Sequence, residues 1–104
     1  MELDINCDKH EIRCHYYFEP MIDVEDLAKV SLPADLQIWL PKDIAPYLEK
    51  LKKVSLSQIQ QREHQQAEFY KNYTDMPKPI QTTYESLVTI LEHAVKYQCD
   101  LEVS

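Results

Sequence analysis

The chain has 104 residues, a formal net charge of −7 and no glycine. Without glycine it lacks a P-loop, a Rossmann turn and a glycine-rich nucleotide flap, because each needs a backbone position that a Cβ atom would obstruct. The net negative charge disfavours direct binding of nucleic acid and of anionic membranes. The length predicts a single domain over residues 1–104.

The sequence contains neither a membrane-spanning pattern nor a secretory pattern. No apolar run approaches the roughly 20 residues that cross a bilayer, and the first residues, MELDINCDK, lack the basic-then-apolar order of a signal peptide. The three cysteines are an odd number, which is poorly suited to a disulfide framework. We therefore expect a cytoplasmic protein with reduced thiols.

Two alternating segments open the chain. Residues 1–7 and residues 12–18 place apolar side chains at every second position, which is the period of a half-buried strand. The four polar residues between them predict a β-hairpin, although no Asn-Gly or Asp-Gly turn is present. Pro20 is interpreted as the end of the second strand.

The next segment predicts a short helix and a short strand. Asp23 is a candidate N-cap, and the helix is expected over residues 23–30. Residues 36–40 lie between two prolines and alternate, so they predict a strand with Trp39 on the opposite face from Ile38 and Leu40. A buried helical turn is the alternative for this segment.

Two helices are expected between residues 43 and 73. Asp43 is the candidate N-cap of the first, and Pro46 would lie in its first turn. Ser55 and Ser57 each precede a glutamine by three residues, so the helix is expected to break and restart there. The predicted apolar stripe of the first helix consists of Ile44, Tyr47, Leu48, Leu51 and Val54.

The second of these helices, over residues 57–73, is unusual because residues 60–66 have no apolar face. A helix that is polar all round projects into solvent, bridges other elements or meets a partner. Without glycine, any left-handed helix C-caps in the chain are expected at Asn or Asp.

Residues 82–98 form the longest segment with a wide apolar face. Thr82 and Glu85 have the spacing of a capping box, and we expect the rest of the chain to pack on this helix. Residues 99–103 alternate and predict a final strand. The fold class predicted is α+β, with a small antiparallel sheet (N-terminal hairpin plus C-terminal strand) packed against three to four helices. The apolar stripe of the long helix consists of Tyr84, Leu87, Val88, Leu91, Ala94 and Val95.

A cluster near the N-terminus raises the question of zinc. Cys7, His10, Cys14 and His15 lie within nine residues, and zinc is held by such ligands when four of them converge. Cys14 and His15 are adjacent, however, and adjacent residues of a strand point to opposite faces. Buried thiols and exposed histidines are therefore preferred, and no cofactor or metal is predicted.

No catalytic residues are predicted. Cys99 follows a predicted helix end, where the helix dipole disfavours a thiolate, and no histidine is paired with a cysteine by any local pattern. Acidic residues are so frequent that carboxylate pairs arise by chance, whereas acid–base catalysis needs two carboxylates in different environments. We expect a protein that is not an enzyme.

The charge distribution supplies the functional hypothesis. Residues 1–49 hold eleven acidic and four basic side chains and so carry the whole net charge. Such a field attracts a basic protein partner, and spaced carboxylates can replace the phosphates that a nucleic-acid-handling protein binds. The predicted partner-binding residues are Asp4, Asp8, Glu19, Asp23, Glu25 and Asp26, with Tyr17, Tyr70 and Tyr73 as exposed anchors.

Several alternatives remain open from the sequence. The charge can serve solubility alone, or the chain can be a self-associating subunit, a homodimer in which residues 57–73 pair between copies. A small zinc-binding module is a further alternative. Direct nucleic-acid binding is ranked last because the field of the whole chain opposes it. The basic residues that would carry it are Lys50, Lys52, Lys53 and Arg62.

Overall fold

A computed structural model describes residues 2–7, 12–31, 37–71 and 79–103 of the chain, and side chains over residues 20–31, 38–71 and 80–102. The described part has an antiparallel sheet and five helices, so the α+β prediction is confirmed, with one more helix than the upper expected number. The strands are β1 (Glu2–Cys7), β2 (Ile12–Tyr17), β3 (Gln37–Trp39) and β4 (Leu101–Val103). The helices are α1 (Phe18–Ala28), α2 (Pro41–Lys52), α3 (Leu56–Gln65), α4 (Ala67–Tyr70) and α5 (Pro79–Tyr97).

The sheet joins the two ends of the chain. Its strand order is β2-β1-β4-β3, with β1 and β2 paired from Glu2↔Tyr17 to Cys7↔Ile12. The predicted hairpin pairing and the C-terminal strand are confirmed, whereas the turn predicted at residues 8–11 lies outside the described residues. Strand β3 adds to β4 as an edge.

The predicted alternation of β3 is present in its side chains. Trp39 is buried, whereas Ile38 is 64% exposed. The ring of Trp39 meets the ring of Tyr47 edge-on at 4.9 Å between centroids, which anchors this short strand to α2.

Helix α1 begins five residues earlier than predicted. Tyr17 is the last residue of β2 and Phe18 the first residue of α1, so strand and helix join directly. The interpretation of Pro20 as a strand end is therefore wrong. Pro20 lies in the first helical turn, where the missing N–H has no intrahelical acceptor in any case.

Helix α2 also begins earlier than predicted. Pro41 is its first residue and Leu40 its N-cap, without a side-chain bond. Asp43 therefore lies in the first turn rather than at the cap, and Pro46 lies inside the helix. Four members of the predicted stripe lie on α2 and are buried, whereas the fifth, Val54, is buried but follows the end of the helix.

The predicted break at Ser55 is confirmed, and one of the two candidate caps is used. Ser55 Oγ accepts from the Gln58 backbone N–H at 3.1 Å, and Gln58 Oε1 accepts from the Ser55 N–H at 2.9 Å. Ser57 lies inside α3. The single helix predicted over residues 57–73 is divided into α3 and α4 at Gln66, and residues 72–78 lie outside the described residues.

Helix α5 contacts α1, α2, α3 and β2, as expected of the helix on which the others pack. Leu87, Leu91 and Ala94 are fully buried. The helix begins at Pro79, so Thr82 and Glu85 lie inside it and the capping-box prediction is wrong. Within the described residues, no helix combines the length and apolar content that a membrane crossing needs.

Two helices end in the left-handed conformation without glycine. Lys29 has φ 56° and Gln98 has φ 53°, so the expectation of Asn or Asp at such caps is wrong. At the end of α1, the Val30 N–H donates to the Glu25 carbonyl at 3.1 Å and the Lys29 N–H to the Asp26 carbonyl at 3.3 Å. This is the bond pattern of a Schellman cap. The two bonds hold Lys29 in a conformation that costs free energy for any residue with a Cβ atom.

We predict that Lys29→Gly is more stable than Lys29→Ala by about 1 kcal/mol, because only glycine adopts positive φ without a steric penalty. Both variants lose the lysine side chain, so the difference between their free energies of unfolding reports the cost of positive φ at residue 29. Urea unfolding of the two variants measures this difference. Equal stability, or a more stable alanine variant, would contradict the left-handed cap.

Candidate interaction site

One arginine of the polar helix α3 binds two carboxylates of α1. Arg62 Nη1 donates to Asp23 Oδ1 at 3.0 Å, and Arg62 Nη2 donates to Asp26 Oδ2 at 2.7 Å. The two aspartates are three residues apart, which places them on neighbouring turns of one helix face. The planar guanidinium therefore spans both carboxylates and holds α3 against α1.

The Asp23 carboxylate also binds the next helix. The Tyr70 hydroxyl of α4 donates to Asp23 Oδ2, and both residues are buried, with exposures of 8% for Tyr70 and 6% for Asp23. Asp23 thus links α1 to α3 through Arg62 and to α4 through Tyr70. We call Asp23, Asp26, Arg62 and Tyr70 the carboxylate network.

The single Arg62 guanidinium offsets part of the negative charge of the two carboxylates in the network. The hydrogen bond that Arg62 donates to Asp26, followed by the one that it donates to Asp23, raises the pKa of Arg62, so the guanidinium is held in its charged form. A carboxylate as buried as Asp23 carries a desolvation cost that paired donors must offset. The Asp26 side chain is 64% exposed, so it remains open to solvent while bound to Arg62.

An apolar cleft lies beside this network. It has a volume of about 190 Å³ and is lined by Ile22, Asp23, Gln66, Phe69 and Tyr70. Ile22 is 47% exposed and Phe69 is 44% exposed, which is high for large apolar side chains. The Phe69 ring contacts the Tyr70 ring edge-on, with 5.3 Å between centroids. Exposed apolar groups that flank a cleft are typical of a surface that binds another molecule.

Asp23 and Tyr70 were predicted to be exposed for binding a partner, but both are buried. Asp23 is buried because it is the shared acceptor for Arg62 and Tyr70, and Tyr70 is buried because its hydroxyl has this internal acceptor. Neither side chain is exposed for a partner, and Tyr70 is likewise unavailable for pairing between copies. Phe69, rather than Tyr70, presents an aromatic ring at the surface.

The other predicted residues are only partly described. Glu25 is half-buried on α1. The backbone places Asp4 on β1, Tyr17 at the end of β2 and Glu19 in the first turn of α1. Asp4 pairs with His15 in the sheet register, two positions from the Glu2↔Tyr17 pair. Asp8 and Tyr73 lie outside the described residues.

The zinc alternative concerns residues that are mostly outside the description. Cys7 lies on β1 opposite Ile12, and Cys14 lies on β2 opposite Ile5, whereas His10 is outside the described residues. Among the side chains that the structure describes, no group of three or more His, Cys, Asp or Glu could hold a metal ion.

Neither Arg62 nor Phe69 was among the predicted partner-binding residues, and Arg62 was named only for the alternative of direct nucleic-acid binding. The sequence nevertheless contains a pattern that indicates which side of this polar segment is buried. Spacings of three or four residues, typical of one helix face, separate Ile59, Arg62, Gln66 and Tyr70. Ile59 and Tyr70 are buried, and Arg62 and Gln66 are half-buried between them. The polar middle of α3 and α4 therefore bridges to α1 instead of projecting into solvent.

Comparisons of the chain with protein-family models, with curated proteins and with solved structures find no match. The site is therefore interpreted from its own geometry.

We predict that Arg62→Met lowers the free energy of unfolding by about 2–3 kcal/mol, because it leaves the buried Asp23 carboxylate with Tyr70 as its remaining donor. Lys52→Met is the matched control. Lys52 also joins two helices through an ion pair, at 3.4 Å to Glu92, but both side chains are 51% exposed. We expect this control to cost less than about 0.5 kcal/mol. Similar losses for the two variants in urea unfolding would contradict a structural role for the network.

Proposed function

We propose that this chain is a small, acidic, non-enzymatic interaction protein of the inhibitor, immunity or adaptor type. Its partner is a basic protein surface, in particular the groove with which a nucleic-acid-handling protein binds phosphates. The acidic side chains of the chain would replace those phosphates, and the association would need neither direct nucleic-acid contact nor a membrane.

The observation that carries this proposal is the position of Ile22 and Phe69, two exposed apolar side chains that line one cleft. Protein interfaces are commonly built from a few apolar or aromatic anchors within a polar rim. Phe69 supports such a role because its rigid ring offers large contact area at little cost in side-chain entropy.

The charge around the cleft supports the choice of a basic partner. Among the described side chains of α1 and α4, the carboxylates that are at least partly exposed are Glu25, Asp26 and Glu68, and the cations bound to them are Arg62 and Lys71. Glu19 is a further acidic residue of α1. Glu68 adjoins Phe69 and its side chain is 90% exposed. A basic partner would therefore find carboxylates beside the apolar anchors.

Self-association is a second candidate, favoured by a different observation. Strand β3 lies at one edge of the sheet and carries Ile38, which is 64% exposed. An unpaired edge with an exposed apolar side chain is a surface on which a second copy can add. Light scattering separates the candidates, since a dimer that dissociates on Ile38→Lys supports self-association and a monomer supports the proposed hetero-association.

The test begins with capture of partners by the tagged full chain at about 50 mM salt, followed by measurement of Kd for the captured protein. We expect Kd to rise several-fold between about 50 and 150 mM salt, because screening weakens attraction between opposite charges. Phe69→Ala should weaken binding about tenfold. Leu56→Ala is the control, since Leu56 is similarly exposed at 52% but does not line the cleft.

We expect the control to change Kd by less than about twofold, as is usual for contacts outside the energetic centre of an interface. A Kd that is independent of salt would contradict the basic partner. Equal losses for Phe69→Ala and Leu56→Ala would contradict the cleft as the centre of the interface.

A further inference from the structure

Helices α3 and α4 contribute little to the apolar core. Their buried side chains are Ile59 and Tyr70, whereas α1, α2 and α5 each contribute three or more buried apolar side chains. Parts of a protein that bury few apolar groups open at a lower free energy than the core does. We call residues 56–70 the α3–α4 segment.

The packing of the α3–α4 segment against α1 is interrupted at two places. A pocket of about 190 Å³ is lined by Ala28 of α1 and Gln58 of α3, among others. The apolar cleft, also of about 190 Å³, is lined by Ile22 of α1 and by Gln66. Gln58 precedes Arg62 by four residues and Gln66 follows it by four. Well-packed helices leave few gaps larger than a water molecule, so the two openings limit the apolar contact between the α3–α4 segment and α1.

Polar contacts close the segment on α1. The Arg62 guanidinium, in a side chain that is 23% exposed, donates to Asp23 at 3.0 Å and to Asp26 at 2.7 Å. Asp23 also accepts from the Tyr70 hydroxyl. Both helices of the segment are therefore attached to α1 through the same carboxylate.

Helix α1 has other packing that does not involve this segment. Met21 and Val24 are each 1% exposed, and α1 packs against α5 and β2. These contacts persist when the α3–α4 segment moves away. The carboxylates of Asp23 and Asp26 would then remain on a folded helix.

We propose that the α3–α4 segment is a lid that opens as one unit while α1, α2 and α5 stay packed. When the lid is closed, Arg62 is an autoinhibitory contact, because it occupies Asp23 and Asp26, two carboxylates that the sequence predicts for a basic partner. When the lid is open, an arginine of the partner takes its place. The identity of this occupant rests on the proposed function, whereas the opening of the lid does not.

The closed structure itself indicates why the occupant is an arginine. The two carboxylates already hold one planar guanidinium between them, and a lysine ammonium lacks that fork of donors. A guanidinium from the partner would restore the hydrogen bonds that opening breaks, so Asp23 would keep a charged donor. A partner that binds only the open state shifts the population toward that state.

The direct test is native-state hydrogen exchange of the full chain without a partner, followed by NMR at the backbone amides. We expect the amides of α3 and α4 to be protected at least about tenfold less than those at the centre of α5. Ile44→Val distinguishes this opening from global unfolding, because Ile44 is fully buried on α2. The variant should lower protection in α5 several-fold and leave protection in α3 and α4 unchanged, since α2 stays packed when the lid opens.

A pair of variants on α3 tests the contact that closes the lid. Arg62→Gln should lower the protection of the α3 and α4 amides about tenfold, because the charged donor to both carboxylates is lost. Gln61→Ala is the control, since Gln61 adjoins Arg62 on the helix but is exposed. We expect it to change protection by less than about twofold.

The occupant is tested with hexa-arginine, compared with hexalysine, which has the same charge without the planar fork. Arg62 is tethered to its site, and a tethered group has an effective concentration in the millimolar range. A competing peptide is therefore used at about 5 mM. We expect hexa-arginine to lower the protection of the α3 amides several-fold and hexalysine to lower it less.

The lid is overturned if Ile44→Val lowers protection in α3 and in α5 by the same factor, since α3 would then open by global unfolding alone. The autoinhibitory contact is overturned if hexa-arginine leaves the protection of α3 unchanged or raises it. Failure of the proposed function is a different result. In that case the lid still opens in the free protein, but neither salt nor Phe69→Ala changes the Kd of a captured protein.

Discussion

The hydrogen bonds from the Arg62 guanidinium to the Asp23 and Asp26 carboxylates hold α1 in place. Residues of α1 line two depressions of the surface, the apolar cleft and a larger groove beside α2. The same hydrogen bonds join α3, a helix with few apolar residues, to α1. Asp23 extends the linkage to α4 through Tyr70. Ile22 of α1 lines both the apolar cleft and the larger groove between α1 and α2. The position of α1 therefore determines the shape of both surfaces.

The rest of the core is conventional and depends on α5. Helix α5 packs against α1 and α2, and Leu87, Leu91 and Ala94 are among its buried residues. The Tyr84 hydroxyl of α5 also donates to the Leu51 carbonyl of α2 at 2.7 Å. Burial of apolar area accounts for the association of these elements. It contributes less to the packing of α3 and α4, each of which places one buried residue in the core, Ile59 and Tyr70 respectively. Polar contacts of Arg62 and Tyr70 therefore help to hold α3 and α4, where little apolar area is buried.

Local patterns predicted the hairpin pairing, the stripe of α2 and the central helix, because periods of 2 and 3.6 directly report which side of an element is buried. Helix starts were predicted late for one shared reason. Pro20 was interpreted as a strand end and Pro41 as the boundary of a strand, yet each lies in the first turn of a helix, where proline is tolerated. The candidate site could not be predicted in the same way. Asp23 and Arg62 are 39 residues apart, and no local pattern reports which distant charge a carboxylate will meet.

The central claim is that Asp23 is one shared acceptor for α3 and α4, and a double-mutant cycle with Arg62→Gln and Tyr70→Phe tests it most directly. Each single variant leaves the buried carboxylate with one donor, whereas the double variant leaves it with neither. The account predicts that the double variant loses more stability than the sum of the two single losses, by at least about 0.5 kcal/mol. Losses that add to within about 0.3 kcal/mol would contradict it, because Arg62 and Tyr70 would then act independently of one another.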